Sequence, residues 1–480
     1  MSRITFIGQS AHYRQRQLGD LRLVNGYAEL VESKQGKTLV ALRGTPGLKV
    51  WTTAPGTGAM RGLYLASNGV LYLVRGNTFS EVDPVGNVLT RGTLLTTEGP
   101  VQMTDNRIDV MLVDGQYGYA LTLATQTFTQ LVSPAFSGST HISFLDGYFV
   151  YPILGSQQFG WSDLLSTTFD PLNFSTVDGA PDNLVAQLVA HRELWQFGVW
   201  TTELWYSSGD ADAPFARMQG GFIHHGCAAP HSPARVGEAV YWLSTNEQGH
   251  AMVLQAQGVT PQRVSTHPVE EALHGYAVVR DALGWGQQQG GHLWYFLTFP
   301  TANATWVYDV TTGLWHERGA LDPAHGTIGR HRAQVYAFAY GKHLVADYED
   351  GRVYELDPLT YADDDLPLIF EASLPPLFDE QGGARVRHDR LHLDCAVGVG
   401  RDGGLEPGVD PQVLLRISND GGATYPVERT ASLGPLGETR TQVEWRQLGA
   451  GYARTYKLRI SDPVERTIMG AWADVQVLGA

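Results

Sequence analysis

Leu71-Tyr72-Leu73-Val74, a polar break, and Phe79-Ser80-Glu81-Val82-Asp83 decide how this chain is read. The first run is apolar throughout, as in a strand covered on both faces, and the second alternates. Between them Gly76-Asn77 supplies residues that tolerate the positive φ of a tight hairpin. Six variants follow. Val110 to Val113 leads to Tyr119 to Leu123, Tyr148 to Tyr151 leads to Phe159 to Ser162, and Leu194 to Phe197 leads to Glu203 to Tyr206. Val240 to Leu243 leads to Met252 to Ala256, Leu293 to Leu297 leads to Thr305 to Val310, and Val335 to Tyr340 leads to Arg352 to Asp357. The leading runs start roughly 40 to 50 residues apart, a period of propellers and related arrays. The pattern predicts an all-β protein with a β-propeller of seven blades over residues 61–360.

Outward from the repeat, residues 1–60 read as an N-terminal arm with one or two strands, around Leu23-Val24-Asn25-Gly26-Tyr27 and Thr38-Leu39-Val40-Ala41-Leu42. Its basic start, Arg14, Arg16 and Arg22, suits either an interaction segment or a solvated arm pinned to a neighbouring domain. One short helix is predicted from Pro268 to His274, capped by Ser265 or Thr266 and carrying Glu270-Glu271 near the favourable end of its dipole. Ala362-Asp363-Asp364-Asp365-Leu366-Pro367 breaks the repeat and reads as a domain boundary. Beyond it, residues 367–480 alternate cleanly. Val443 and Trp445 oppose Glu444 and Arg446, and Tyr456, Leu458 and Ile460 oppose Lys457 and Arg459. That is the pattern of an antiparallel sheet with one wet face, here a small β-sandwich or barrel.

With 480 residues the chain has room for two or three domains. A net charge of -15 argues against a generic nucleic-acid-binding surface, which depends on Lys and Arg neutralising phosphates. Cys227 and Cys395 lie too far apart in sequence to suggest a disulfide framework. The opening Met1 to Asp20 lacks the apolar core of a secretory signal, and no run approaches the length of a membrane span. The expectation is a soluble protein made in the cytoplasm, without membrane insertion.

Three clusters carry candidate chemistry. Ser418-Asn419-Asp420-Gly421-Gly422-Ala423-Thr424-Tyr425 is similar to the Asp-box of sialidase-like propellers, where Ser418, Asp420, Gly422 and Thr424 would stabilise a hairpin turn. His224-His225-Gly226-Cys227-Ala228-Ala229-Pro230-His231 offers nitrogen and sulfur donors but no second ligand pair to complete a zinc site. Arg385, Arg387 and Arg390, with His388, form the densest positive cluster, able to grip a carboxylate or phosphate or simply to line a wet strand face. No G-x-S-x-G, H-E-x-x-H or phosphate-cradling loop occurs, so no catalytic, metal or cofactor residues are assigned.

Several short motifs, taken in order, resemble one family. Asn25-Gly26-Tyr27-Ala28-Glu29, Leu42-Arg43-Gly44-Thr45-Pro46-Gly47, Gly226-Cys227-Ala228-Ala229-Pro230, Tyr241-Trp242-Leu243-Ser244 and Leu314-Trp315-His316-Glu317 are similar to the packaged-DNA stabilisation, or tail hub, proteins of short-tailed bacteriophages. Ser418 to Tyr425, Trp445-Arg446-Gln447-Leu448-Gly449 and Leu458-Arg459-Ile460-Ser461-Asp462-Pro463-Val464 extend the resemblance through the C-terminal part. It implies a non-enzymatic structural protein of the virion tail. Such a protein would form a homo-oligomeric ring, hexameric in relatives, below the portal and its adaptor protein. It would extend the channel for viral DNA, help to retain packaged DNA, and hold tailspikes or tail fibres and a needle or plug. The competing reading is a sialidase-like or carbohydrate-binding propeller, whose 12 Trp and 21 Tyr would stack on sugars.

Overall fold

The computed structural model describes residues 2–4, 8–11, 21–30, 40–246, 248–379, 383–404 and 406–478. Among these, seven four-stranded antiparallel blades close a ring. Blade 1 runs Met60–Leu65, Leu71–Arg75, Thr78–Val82 and Val88–Thr93, from the axis outward. Blades 2 to 5 repeat the plan over residues 102–130, 143–176, 184–223 and 234–263. Blade 6 is built from Leu283–Gln289, His292–Phe299, Ala304–Asp309 and Leu314–Glu317.

Burial explains the repeat. The second strand of a blade is flanked by strands within the sheet and covered by the neighbouring blades, so Leu71, Tyr72, Leu73 and Val74 all lie at 0% exposure. Among the described residues each pair of adjacent blades shares its own apolar core. Examples are Tyr72, Phe79, Leu112 and Tyr119 between blades 1 and 2, and Trp195, Phe197, Trp242 and Leu254 between blades 4 and 5. The last of these cores, with Leu71, Leu73, Leu344 and Val353, joins blade 7 back to blade 1.

Blade 7 departs from the sequence reading in two ways. Its inner three strands are Ala333–Ala339, Lys342–Asp347 and Arg352–Asp357. The hairpin read as Val335 to Tyr340 followed by Arg352 to Asp357 therefore joins the first strand to the third. Val335 to Tyr340 is the more apolar stretch in sequence, but the central strand is the one from Lys342, whose Leu344, Val345 and Ala346 are at 0% exposure. The fourth strand is Gly47–Thr53, taken from the N-terminal arm, with Leu48 opposite Leu356. Residues 47–53 thus complete the propeller, and the segment 1–60 does not stand apart from it.

The rest of the arm builds the other body. Gly26–Leu30 and Val40–Gly44 form a hairpin beside Thr467–Val477, followed by Val386–Cys395 and Val443–Gly451. The facing sheet holds Phe370–Ser373, Ala453–Ile460, Gln412–Ser418 and Val427–Ser432. Between the two sheets pack Leu391, Leu393, Leu415, Trp445, Tyr456 and Leu458, as the alternation over residues 443–460 requires. This is a β-sandwich. The single helix among the described residues, His267–His274, starts at Thr266 with proline in its first turn and Glu270 beside its N-terminus.

Candidate functional site

The joint between propeller and sandwich is held by backbone pairing and by buried ion pairs. Leu23–Val24 lies between the two bodies. Val24 pairs in parallel with Glu317 of blade 6 and antiparallel with Glu371 of the sandwich, so one hydrogen-bonded sheet runs from the propeller into the sandwich. Asn25 follows with a φ of 54° and no exposed surface. Its side-chain amide donates to Gly319 O and Ile369 O, both at 2.8 Å, and its side-chain oxygen accepts from Gly319 N at 2.9 Å. At Gly26 an added Cβ would sit 2.5 Å from the Phe370 ring, and at Gly47 one would sit 2.2 Å from Ala362 O. These close approaches account for two of the motifs in physical terms.

Charge is buried at the same joint. Arg22 reaches Glu317 at 3.0 Å and Glu371 at 3.7 Å, and Glu371, itself 1% exposed, is met by Lys457 at 3.1 Å and Arg459 at 2.8 Å. Burial opposes ionisation of Glu371, but Lys457, Arg22 and Arg459 outweigh it and hold its pKa below the usual value. His292 Nδ1 donates to the Asp309 carboxylate at 2.8 Å and its Nε2 lies 3.5 Å from Glu29. Burial disfavours its charged form, yet the two carboxylates win and raise its pKa. Asp363 is the opposite case. Burial outweighs the pull of Arg466, Arg332 and Arg318, and its carboxyl is pushed up to about 7. Burial likewise draws Arg318 down to about 9 and Arg466 to about 10. The segment 362–367, read from sequence as a domain boundary, is therefore wedged into the joint: Ala362–Asp363 pairs with Gly47–Thr53, and Asp364 meets Arg352 at 2.5 Å.

The propeller channel is a second candidate site. A cavity of about 630 Å³ at its mouth is bordered by Glu98, His231, Asp281, Arg330 and Gln334, and it continues between the inner strands. Arg61 also faces it, but its guanidinium donates to the carbonyls of Gly76, Thr96, Glu98 and Gly99 and to the Thr96 hydroxyl. With its donors spent on the wall, Arg61 has none left for a ligand carboxylate. Arg330 lies 3.5 Å above the Tyr348 ring. Across the channel His141 stacks on His231 at 5.0 Å, and burial lowers their pKa values to about 3 and about 4. Both rings are neutral at ordinary pH.

The residues singled out from sequence fall in several places. Ser418, Asp420, Gly422 and Thr424 form the turn of a sandwich hairpin. The Asp420 carboxylate accepts from Ser418 Oγ at 2.5 Å, Thr424 Oγ1 at 2.6 Å and Thr424 N at 3.0 Å, which holds its pKa well below the usual carboxylate range. Gly422 takes a φ of 94° there and donates to Ser418 Oγ at 2.9 Å. Cys227 is buried, its thiol points to Ala229 O at 2.9 Å, and burial pushes its pKa up to about 12. His231 belongs to the channel stack, while His224 packs against Phe222. Among the described residues no group of three metal-ligating side chains converges. Arg387 pairs with Asp389 at 2.9 Å, Arg390 with Asp474 at 3.2 Å, and Arg385 donates to Ala450 O at 3.3 Å, all on the outer face of one sandwich sheet. Burial lowers the pKa of His388 between them to about 4. Arg14 and Arg16 lie outside the described residues, and Arg22 belongs to the joint. Sequence reading missed Asp363, Arg318 and Arg466, whose significance comes only from burial.

A closed propeller bonded strand to strand to a β-sandwich defines an all-β protein of two fused bodies. The family profile described as bacteriophage P22 Gp10, β-propeller, matches residues 7–361, and the one described as bacteriophage P22 Gp10, β-sandwich, matches residues 375–476. The chain belongs to this family of structural proteins of the bacteriophage tail. No curated protein matches it. Among solved structures it is similar to the computationally designed Ika8 protein, at 12% identity over 64% of this chain and 99% of that one, with a TM-score of 0.41. It is also similar to the Pan2 WD40 domain of Neurospora crassa, at 8% identity over 65% and 95% of the two chains, with a TM-score of 0.41. No helix among the described residues is long and apolar enough to cross a membrane.

Proposed function

We propose that this protein is a tail hub subunit. It forms a homo-oligomeric ring below the portal-adaptor complex, extends the channel through which viral DNA leaves, and helps to retain packaged DNA. Its outer surfaces hold tailspikes or fibres, and its ring admits a needle or plug. The observation that carries this reading is the joint: two bodies sharing one continuous sheet, with strands from residues 23–53 woven into both, make a unit that resists separation under pressure. The net charge of -15 supports passage of DNA without adhesion, since an acidic lining repels phosphates. The test is the mass of the native assembly with and without portal-adaptor complexes. A ring that associates with them is expected. A strict monomer under both conditions, absent from purified virions, would overturn the reading, as would turnover of sialosides or capsule polysaccharide. A basic channel lining in the assembled ring would remove the proposed role for charge.

A further inference from the structure

Blades 3 and 4 differ from the rest of the propeller. Residues 131–226 hold nine Asp and Glu against two Arg and no Lys, a net of -7 out of the chain's -15. Both arginines are engaged, Arg192 with Asp146 at 2.8 Å and Arg217 with Glu203 at 3.4 Å. At the edge of blade 3, Leu164, Leu165 and Leu172 are exposed by 61%, 48% and 82%. Two local devices hold them out. Leu165 has a φ of 53°, a left-handed conformation that a leucine rarely adopts, fixed by its N–H donating to Gly147 O at 2.7 Å. In the outer strand Phe169–Thr176 the register slips between Gly160–Phe174 and Ser162–Phe169, so residues 170–173 bow out and carry Leu172 with them. Asn173 donates to Asp163 at 3.3 Å, which ties the bow to the Leu164-Leu165 loop. Asp163 and Asp170 are exposed beside the leucines, and exposed Asp210 and Asp212 lie on the corresponding loop of blade 4.

We propose that this three-leucine knuckle is the docking surface for a different tail protein, one that presents an apolar pocket bordered by Lys and Arg. An exposed leucine cluster held in a costly backbone conformation gains from burial in a partner. The surrounding carboxylates select a basic rim and reject nucleic acid. The proposal rests on the tail reading and names a partner surface within it.

The test compares purified wild-type virions with those of a Leu164→Ser/Leu165→Gly/Leu172→Ser variant and an Asp210→Lys/Asp212→Lys variant, by quantitative mass spectrometry of structural proteins. The three leucines are exposed, and Gly at residue 165 suits the positive φ, so unchanged circular dichroism and melting are expected for the isolated subunit. The leucine variant should keep its own copy number in the particle while one other structural protein falls by roughly tenfold or more, and the charge variant should show a smaller loss of the same protein. Unaltered composition in both variants overturns the proposal. So does loss of the mutated chain itself with dissociation of its ring, which would assign the knuckle to contacts between copies. Absence of this chain from wild-type virions is a separate result: it removes the tail reading, and the docking proposal with it.

Discussion

Blades 2 to 5 and blades 6 to 7 solve the same packing problem with different means. Each of the former is cut from one continuous stretch of chain and held by the apolar cores it shares with its neighbours, such as Trp195 and Trp242 between blades 4 and 5. Blades 6 and 7 borrow strands from residues 23–53, and beside them lie Arg318, Asp363, Arg466, Glu371 and His292, all buried. Apolar burial suffices where a blade meets another blade of like shape. Where a sheet must pass from a ring into a sandwich, backbone groups at its edge need partners from elsewhere in the chain, and charged groups trapped there need each other.

The comparison breaks most sharply if the borrowed strands are removed. A chain starting at residue 54 loses the outer strand of blade 7 and the whole link of Leu23–Val24. It should be insoluble, or soluble with fast hydrogen exchange at those amides of residues 352–357 that face outward, because their strand loses its outer partner while keeping Lys342–Asp347 on the inner side. Wild-type exchange protection in such a chain would show that the borrowed strands are dispensable. Within the contiguous blades the largest single loss is expected from Trp242→Ala. Its indole is fully buried and donates to Gly226 O at 3.0 Å, so removing it should cost about 3 to 5 kcal/mol in chemical denaturation.

A pH series separates the two regions further. The Asp363 carboxyl titrates near 7 in the folded protein, above its ordinary unfolded value of about 4. The folded state therefore holds this proton more tightly, and the resulting stability is fully present below about pH 4 and is lost as pH rises through about 7. Asp363→Asn cannot titrate, so the stability difference between wild type and variant should shift against the wild type across that window. A difference independent of pH would show that the joint does not hold Asp363 as described. Trp242→Ala removes no titrating group, so the same titration of this variant should parallel the wild type.

What was legible in the sequence follows the same division. The hairpin from Leu71 and its echoes at Val110, Tyr148, Leu194, Val240 and Leu293 are central strands with their hairpin partners, because a strand buried on both faces must be apolar throughout and its neighbour is near in sequence. The reading slipped at Val335, where a continuous apolar run belongs to the inner strand, and it placed Gly47–Thr53 with the arm because pairing across three hundred residues leaves no local trace. Asn25-Gly26 and Gly44-Thr45-Pro46-Gly47 were visible as motifs, but their purpose as joint pieces depends on Phe370 and Ala362, distant in the chain. Asp363 lies in the run read as a domain boundary, and only the fold reveals that it is buried and that its neighbour Asp364 is the one that meets a cation in direct contact.

The two arginine sets marked from sequence give the smallest contrast, and the most diagnostic one. Arg387 lies on an open sheet face and pairs with Asp389 where the two side chains are 47% and 42% exposed. Water screens such a pair, so Arg387→Ala should change stability by less than about 0.5 kcal/mol. Arg22 has the same guanidinium but faces Glu317 and the 1%-exposed Glu371 across the joint. Removing it leaves Glu371 with Lys457 and Arg459 still in place, so Arg22→Ala should cost about 1 to 2 kcal/mol, short of what stripping a buried carboxylate of every partner would cost. If thermal denaturation ranked the two substitutions equally, the joint would be no more than another exposed surface, and the difference drawn between the borrowed and the contiguous blades would fail at its most direct point.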